Sequence, residues 1–264
     1  MSTEPPVHVE RVDGVATVTL TRPDAMNSLD VATKQALLAA LRDVATDDAV
    51  RCVVLTGSGR AFCVGQDLKE HVELLAEDPA QLWTTVAQHY NPIVELIATM
   101  DKPVLAAVNG IAAGAGVSFA LAADLRYVAA SAGFNLAFTG IALSCDSGLS
   151  WSLPRLVGPG RAKELLFFPR TVPAQEALEL GLATEVLPDD QLADRVMEIA
   201  RTLAAGPTRA YGAVRRSVAF SSSHALADSL DFEDEMMTRT GTSADHQAAV
   251  AAFLAKEKPS FTGR

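Results

Sequence analysis

Lys102-Pro103-Val104-Leu105-Ala106-Ala107-Val108-Asn109-Gly110-Ile111-Ala112-Ala113-Gly114-Ala115-Gly116-Val117 decides the reading of this chain. Lys102-Pro103 stops a helix, because the residue before a proline is pushed away from helical backbone. Val104–Val108 is a short, wholly apolar run, as expected of a strand buried on both faces. Gly110–Gly116 is a glycine-rich turn, and a turn or two of helix follows over Val117–Ala123. Strand, glycine turn and helix in that order make one α/β unit.

The same unit recurs upstream. Cys52–Gly57 reads as a buried strand ending in glycine, and Ala61-Phe62-Cys63-Val64-Gly65-Gln66-Asp67-Leu68 is a second glycine-containing turn. A helix runs from Asp67 to Leu75, with Asp67 at its N-terminus, and a longer one from Pro79 to Met100. Val7–Leu20 alternates apolar and polar residues around Asp13-Gly14, which predicts a hairpin. Asp30–Thr46 has helical spacing, and Leu125–Ala129 is again a strand. From Gly158 the pattern turns helical, through Ala162–Phe168, Ala174–Leu180, Gln191–Ala205, Pro207–Phe220 and Ser223–Ala255. The expected organisation is an α/β core over residues 1–200 and a helical region over 201–264. The first six residues and the last few read as disordered.

A formal charge of −10 on 264 residues argues against nucleic acid and against a polybasic membrane patch as partners. A local anion site is still compatible with that charge, since helix N-termini hold anions. Cys52, Cys63 and Cys145 form no disulfide framework and read as reduced thiols. The start MSTEPPVHVE has no apolar signal core, and the longest apolar stretch, Gly110–Ala123, is too short to span a bilayer. A cytoplasmic location is expected. The histidines show no metal-ligand spacing, so no metal is expected.

Each glycine turn opens a helix, where backbone N–H groups lack intrahelical acceptors and lie at the positive end of the dipole. Two such turns facing one point would hold an oxyanion. Tight strand-to-helix connection is the plainer reading of the same residues. Neither turn is a Walker A loop, since no GK[ST] follows, and Phe119 stands where a dinucleotide G-x-G-x-x-G needs its third glycine.

Four segments together resemble the enoyl-CoA hydratase/isomerase (crotonase) superfamily. Arg22-Pro23 with Ala25-Met26-Asn27-Ser28-Leu29 resembles its segment along CoA. Leu55-Thr56-Gly57 through Leu68 resembles its first oxyanion loop, and Lys102 through Gly116 its second. Ala174 through Gly181-Leu182-Ala183-Thr184-Glu185-Val186 resembles its later helix-to-strand signature. The resemblance implies a spiral of ββα units, a CoA-thioester substrate with no separate cofactor, and a homotrimer or dimer of trimers built through 201–264. It implies that the N–H groups of Gln66 and Ala115 bind the thioester oxygen. It also implies substrate or CoA contacts from Ala25, Met26, Ala61, Cys63, Val64, Gly65, Asp67, Leu68, Lys69, Gly114, Ser118 and Phe138.

The departures from the family carry information. Ser118 and Phe138 stand where hydratases of the family carry a pair of glutamates, and neither is a general base at neutral pH. Adding water across a double bond needs proton transfer on both sides. The stretch Ser144-Cys145-Asp146-Ser147-Gly148 through Gly158 is similar to the family's isomerases, the branch that includes ring-epoxide isomerases of phenylacetyl-CoA breakdown. There an aspartate at the position of Asp146 is the acid/base. Phe138, Leu143 and Trp83 are expected to wall its pocket. An N-cap for the following helix is the structural alternative for Asp146. The expected activity is a double-bond shift in an enoyl-CoA. The alternatives are a hydratase drawing on Glu70 or Glu73, a thioester hydrolase or dehalogenase with Asp146 as nucleophile, and a non-catalytic acyl-CoA binder. The dehalogenases pair their aspartate with a histidine, and the nearest here, His89, lies outside a matching motif.

Overall fold

The computed structural model describes residues 5–264, so most of the N-terminal tail read as disordered lies outside the described residues. The chain begins with an antiparallel hairpin, β1 (Val7–Val12) and β2 (Val15–Leu20). Asp13 and Gly14 both have positive φ, 52° and 76°, the two-residue turn that matches strand twist. Helix α1 (Val31–Thr46) follows, its N-terminus capped by Asp30, which accepts from the Thr33 N–H.

Three ββα units then spiral forward. In the first, β3 (Cys52–Gly57) and β4 (Ala61–Cys63) lead into α2 (Leu68–Glu77), α3 (Pro79–Thr85) and α4 (Asn91–Thr99). In the second, β5 (Val104–Val108) and β6 (Ile111–Ala113) lead into α5 (Ala115–Ala122). In the third, β7 (Leu125–Ala129) and β8 (Gly133–Asn135) lead through a 3-10 turn (Ala137–Ile141) into α6 (Leu149–Phe167). Strands β9 (Thr171–Pro173) and β10 (Glu185–Leu187) flank α7 (Ala174–Glu179).

Each unit gives its long strand to one sheet and its short strand to another. The larger sheet has the order β1-β2-β3-β5-β7-β10 and is parallel from β2 onward. The smaller has the order β4-β6-β8-β9, with β4, β6 and β8 parallel and β9 antiparallel. Parallel neighbours end on the same side, so the chain leaves β4, β6 and β8 along one edge. That edge positions the candidate site.

Helices α8 (Leu192–Ala204), α9 (Thr208–Ser221), α10 (Leu226–Gly241) and α11 (Ala244–Ala255) complete the chain. Among the described residues no helix is long and apolar enough to cross a membrane.

Several details differ from the sequence reading. The helix expected over Pro79–Met100 is α3 and α4 joined by a π turn, Val86–Tyr90. Pro92 has no N–H to offer, and the Asn91 N–H reaches back five residues to the Val86 carbonyl. The helix expected from Ala162 already begins at Leu149 and bends at Gly158, whose φ is 76°. Ser223–Ala255 is two helices, divided where Ser243 accepts from the His246 N–H and caps α11. The C-terminal residues read as loose are tied down. The buried Asp245 carboxylate accepts from the N–H groups of Thr262 and Gly263 at 2.6 and 2.8 Å, and Arg51 donates to the Phe261 carbonyl.

Candidate active site

The two glycine turns leave β4 and β6, which are paired neighbours, so the topology brings them together. Contact between them is close. A Cβ on Gly116 would sit 2.1 Å from the Cys63 carbonyl oxygen, so only glycine lets α5 approach β4 this closely. Gly65 has φ +80°, and a Cβ there would lie 2.9 Å from the Ala113 oxygen and 3.2 Å from the Ala115 nitrogen. Gly65→Ala therefore combines strain with a backbone clash. It is expected to destabilise the fold by about 2 kcal/mol, read as a lower urea midpoint with unchanged slope.

Next to Gly65, the backbone bridges to Leu29. The Leu29 N–H donates to the Gly65 carbonyl at 2.8 Å, and the Asp67 N–H donates to the Leu29 carbonyl at 3.2 Å. Gln66 lies between them, so its N–H points away from Leu29, as alternate residues of a bridged segment do. Ala115 is the first residue of α5, with Gly114 as its N-cap. Among the described residues neither the Gln66 N–H nor the Ala115 N–H donates to a protein acceptor. Two unsatisfied donors on touching turns are a ready site for an oxygen carrying negative charge.

The third turn leaves β8. Phe138 is buried in the 3-10 turn, where its carbonyl accepts from the Leu143 N–H. Asp146 follows and is half-buried. It is not the helix cap: the N-cap of α6 is Gly148, with no side-chain cap bond. Its carboxylate accepts from the Ser147 hydroxyl at 2.7 Å. Burial pushes its pKa above the ordinary carboxylate value, and the Ser147 bond offsets part of that rise. The buried Ser118 hydroxyl, one turn along α5 from Ala115, lies 3.5 Å from the Asp146 carbonyl oxygen. Tyr90 is buried nearby: burial chiefly, then the negative charge of Asp146, push its phenol upward.

The segment from Arg22 to Ser28 borders the first turn. Ala25 ends a 3-10 turn, and Met26 and Asn27 have φ of 53° and 56°. The fully buried Asn27 amide holds this kink by donating to the Ser58 and Ala61 carbonyls at 2.9 and 2.8 Å. Asp67 caps α2 by accepting from the Lys69 and Glu70 N–H groups, and also accepts from Ser28 and Arg22. Burial raises the Asp67 pKa, but the bonds from Ser28, Glu70 and Arg22 outweigh it and hold it below the ordinary value. Ala61 and Cys63 are buried in β4, Val64 is half-buried, and Leu68 and Lys69 stand exposed on the first turn of α2. Burial pushes the Cys63 thiol up to about 12, so it stays protonated at neutral pH.

Of the expected pocket walls, Phe138 is buried and Leu143 half-buried. Trp83 is instead 48% exposed, its ring edge-on to His71 at 6.0 Å.

A polar cluster behind Gln66 has no counterpart in the motif reading. Lys34, on α1, is 1% exposed. Its ammonium donates to Gln66 Oε1 at 3.2 Å, Glu70 Oε1 at 3.3 Å and Thr85 Oγ1 at 3.0 Å. The Tyr90 hydroxyl donates to the same Gln66 oxygen at 2.5 Å. The signal was present in the sequence: Lys34, Leu37, Leu38 and Leu41 have the i, i+3, i+4, i+7 spacing of an inward face, and all four are buried.

Known proteins resemble this chain along nearly its whole length. The family model described as enoyl-CoA hydratase/isomerase matches residues 10–264. The 1,2-epoxyphenylacetyl-CoA isomerase of Escherichia coli is 41% identical over 258 residues, covering 97% of each chain. A 4-chlorobenzoyl coenzyme A dehalogenase of an Arthrobacter species is 36% identical, covering 95% of this chain and 91% of its own. The crystal structure of an enoyl-CoA hydratase from Bacillus anthracis superposes with a TM-score of 0.92 at 32% identity, covering 98% of this chain and 100% of its own. The chain belongs to the enoyl-CoA hydratase/isomerase family.

Proposed function

We propose that this enzyme shifts the double bond of an enoyl-CoA thioester, with Asp146 carrying the proton. The observation that carries the reading is Asp146 itself: a desolvated carboxylate that caps no helix and has Ser147 as its side-chain partner. The thioester oxygen sits between the N–H groups of Gln66 and Ala115. Asp146 removes a proton from the α carbon of a 3-enoyl-CoA, and the electron pair delocalises into a dienolate whose oxygen those donors stabilise. The same carboxyl then protonates the γ carbon, giving the 2-enoyl product. CoA is part of the substrate, and no metal or redox cofactor takes part. Ala25, Met26 and the Ala61–Lys69 turn, with Gly114, hold the CoA and thioester portions; Ser118 and Phe138 flank the acyl side.

The alternatives fit the side chains less well. Ser118 and Phe138 supply no acid/base pair for hydration. Glu70 is engaged by Lys34, by the Gln66 amide and by the Val31 N–H, and Glu73 is exposed. A dehalogenase-like route pairs its aspartate with a histidine, and His89, outside a matching motif, has its ring bonded to Thr85 at 3.2 Å. Chromatography of a 2-enoyl-CoA and a 3-enoyl-CoA after incubation separates these readings. Interconversion of the two isomers is expected; 3-hydroxyacyl-CoA would mark a hydratase, and tight binding with no turnover an acyl-CoA binder.

The base must be ionised to act. Because burial raises its pKa, turnover is expected to fall on acidification at a pH above the ordinary carboxylate range. The kcat–pH profile checks this, and an acid limb at an ordinary aspartate value would contradict it.

We further propose a cytoplasmic homotrimer or dimer of trimers, with residues 201–264 as the trimerisation region. Exposed Val214, Val218, Leu226 and Leu230 on α9 and α10 support that role. Light scattering is expected to give three or six times the chain mass.

A further inference from the structure

We propose that Lys34 is a positioning residue for the first oxyanion donor: its buried ammonium, with the Tyr90 hydroxyl, clamps the Gln66 side chain and so fixes where the Gln66 N–H points. This rests on the reading of Gln66 as a donor to the thioester oxygen.

A buried lysine on an otherwise apolar helix face is costly unless all its protons are bonded. Here three protons meet three acceptors, on the first turn, on α2 and on α3. The acceptor on the first turn is Gln66 Oε1. That oxygen has two lone pairs, and Lys34 and Tyr90 take both. On the other side of the same amide, Nε2 donates to Glu70 Oε1 at 3.3 Å. The Gln66 side chain is thus held at both ends, from α1, α2 and the π turn.

The peptide that carries the Gln66 N–H is held on its Gly65 side by the Leu29 N–H, which donates to the Gly65 carbonyl at 2.8 Å. The side-chain clamp holds the other end of that peptide, at the Gln66 Cα. A side chain locked at three points fixes the Gln66 Cα, so that with the Leu29 bond on the other side the peptide plane, and the N–H in it, has no freedom to turn. The ammonium of Lys34 is balanced by Glu70 within 3.3 Å, so the pair adds geometry to the site rather than net charge.

The test uses a CoA thioester of 4-dimethylaminocinnamic acid, whose absorption band moves to the red when its carbonyl oxygen accepts hydrogen bonds. The shift is a property of each bound molecule and does not depend on how stable the protein is. The variant is Lys34→Met with Glu70→Gln, which removes both charges together. The wild-type protein is expected to red-shift the bound probe. The double variant is expected to bind the probe but lose at least half of that shift. Its kcat falls on the order of tenfold while KM stays within about threefold. Should that variant fail to fold, Tyr90→Phe carries the same test, since it removes the other donor to Gln66 Oε1 without touching a charge. A full red shift and unchanged kcat in the variant would overturn the positioning role and leave the oxyanion reading intact. A wild-type protein that binds the probe with no red shift would overturn the oxyanion reading itself.

Discussion

Asp146→Asn is expected to lower kcat for double-bond shift by on the order of 10²–10⁴ while changing KM little. The amide is close to isosteric and can still accept from the Ser147 hydroxyl, so the turn between β8 and α6 is preserved. What is lost is the ability to take and return a proton. The same substitution is expected to stabilise the protein at neutral pH. The folded-state pKa of Asp146 is raised by burial, so its favourable contribution is present below the unfolded pKa of about 3.9 and is lost as pH rises through the folded value. At neutral pH the wild type keeps a desolvated charge that asparagine does not. In a chain of this size each kcal/mol so gained appears as about 2–4 °C in Tm, and the gain vanishes in acid. A variant that is inactive and more stable is the signature of a carboxylate kept for chemistry. A helix cap would behave differently: asparagine caps about as well as aspartate, so the same substitution would leave stability nearly unchanged.

The second large effect is expected of Ala115→Pro. Proline is tolerated at the first position of a helix, where the N–H it lacks has no intrahelical partner. Ala115 occupies that position in α5, and its N–H has no protein acceptor among the described residues. The substitution therefore removes one donor with little cost to the helix. Loss of a single oxyanion donor typically costs 10²–10³ in kcat, about 3–4 kcal/mol. We expect a fall of at least that size, because the ring also puts a carbon where the N–H pointed, with a Tm within a few degrees of the wild type. Retained turnover would assign the turn a purely connective role.

Much of this was legible in the chain, and the parts that were not share a physical cause. Runs such as Cys52–Gly57 and Val104–Val108 announce strands because burial on both faces demands continuous apolar side chains. The three-residue strands β4, β6 and β8 carry no such pattern. They lie inside what reads as glycine turns, so the smaller sheet, and with it the shared edge that assembles the site, emerges only in three dimensions. Asp146 stood out by resemblance, but bare spacing made it a plausible helix cap. The placement of Gly148 as N-cap removes the helix-cap reading. Lys34 was overlooked because a lysine in a helix ordinarily points to water. Its register with Leu37, Leu38 and Leu41 was the available clue, and its three acceptors come from segments far apart in sequence. The C-terminal residues looked loose because nothing local in them signals order; the buried Asp245 carboxylate holds them from α11.

Proton transfer in heavy water tests the central claim most directly. A 3-enoyl-CoA is incubated with the wild-type protein and with Asp146→Asn, and double-bond position and deuterium content are followed together. The account predicts conversion to the 2-enoyl isomer, with deuterium entering at the α or γ carbon, and loss of both conversion and exchange in the variant. Near-normal isomerisation by Asp146→Asn, or 3-hydroxyacyl-CoA as the product of the wild type, would contradict it.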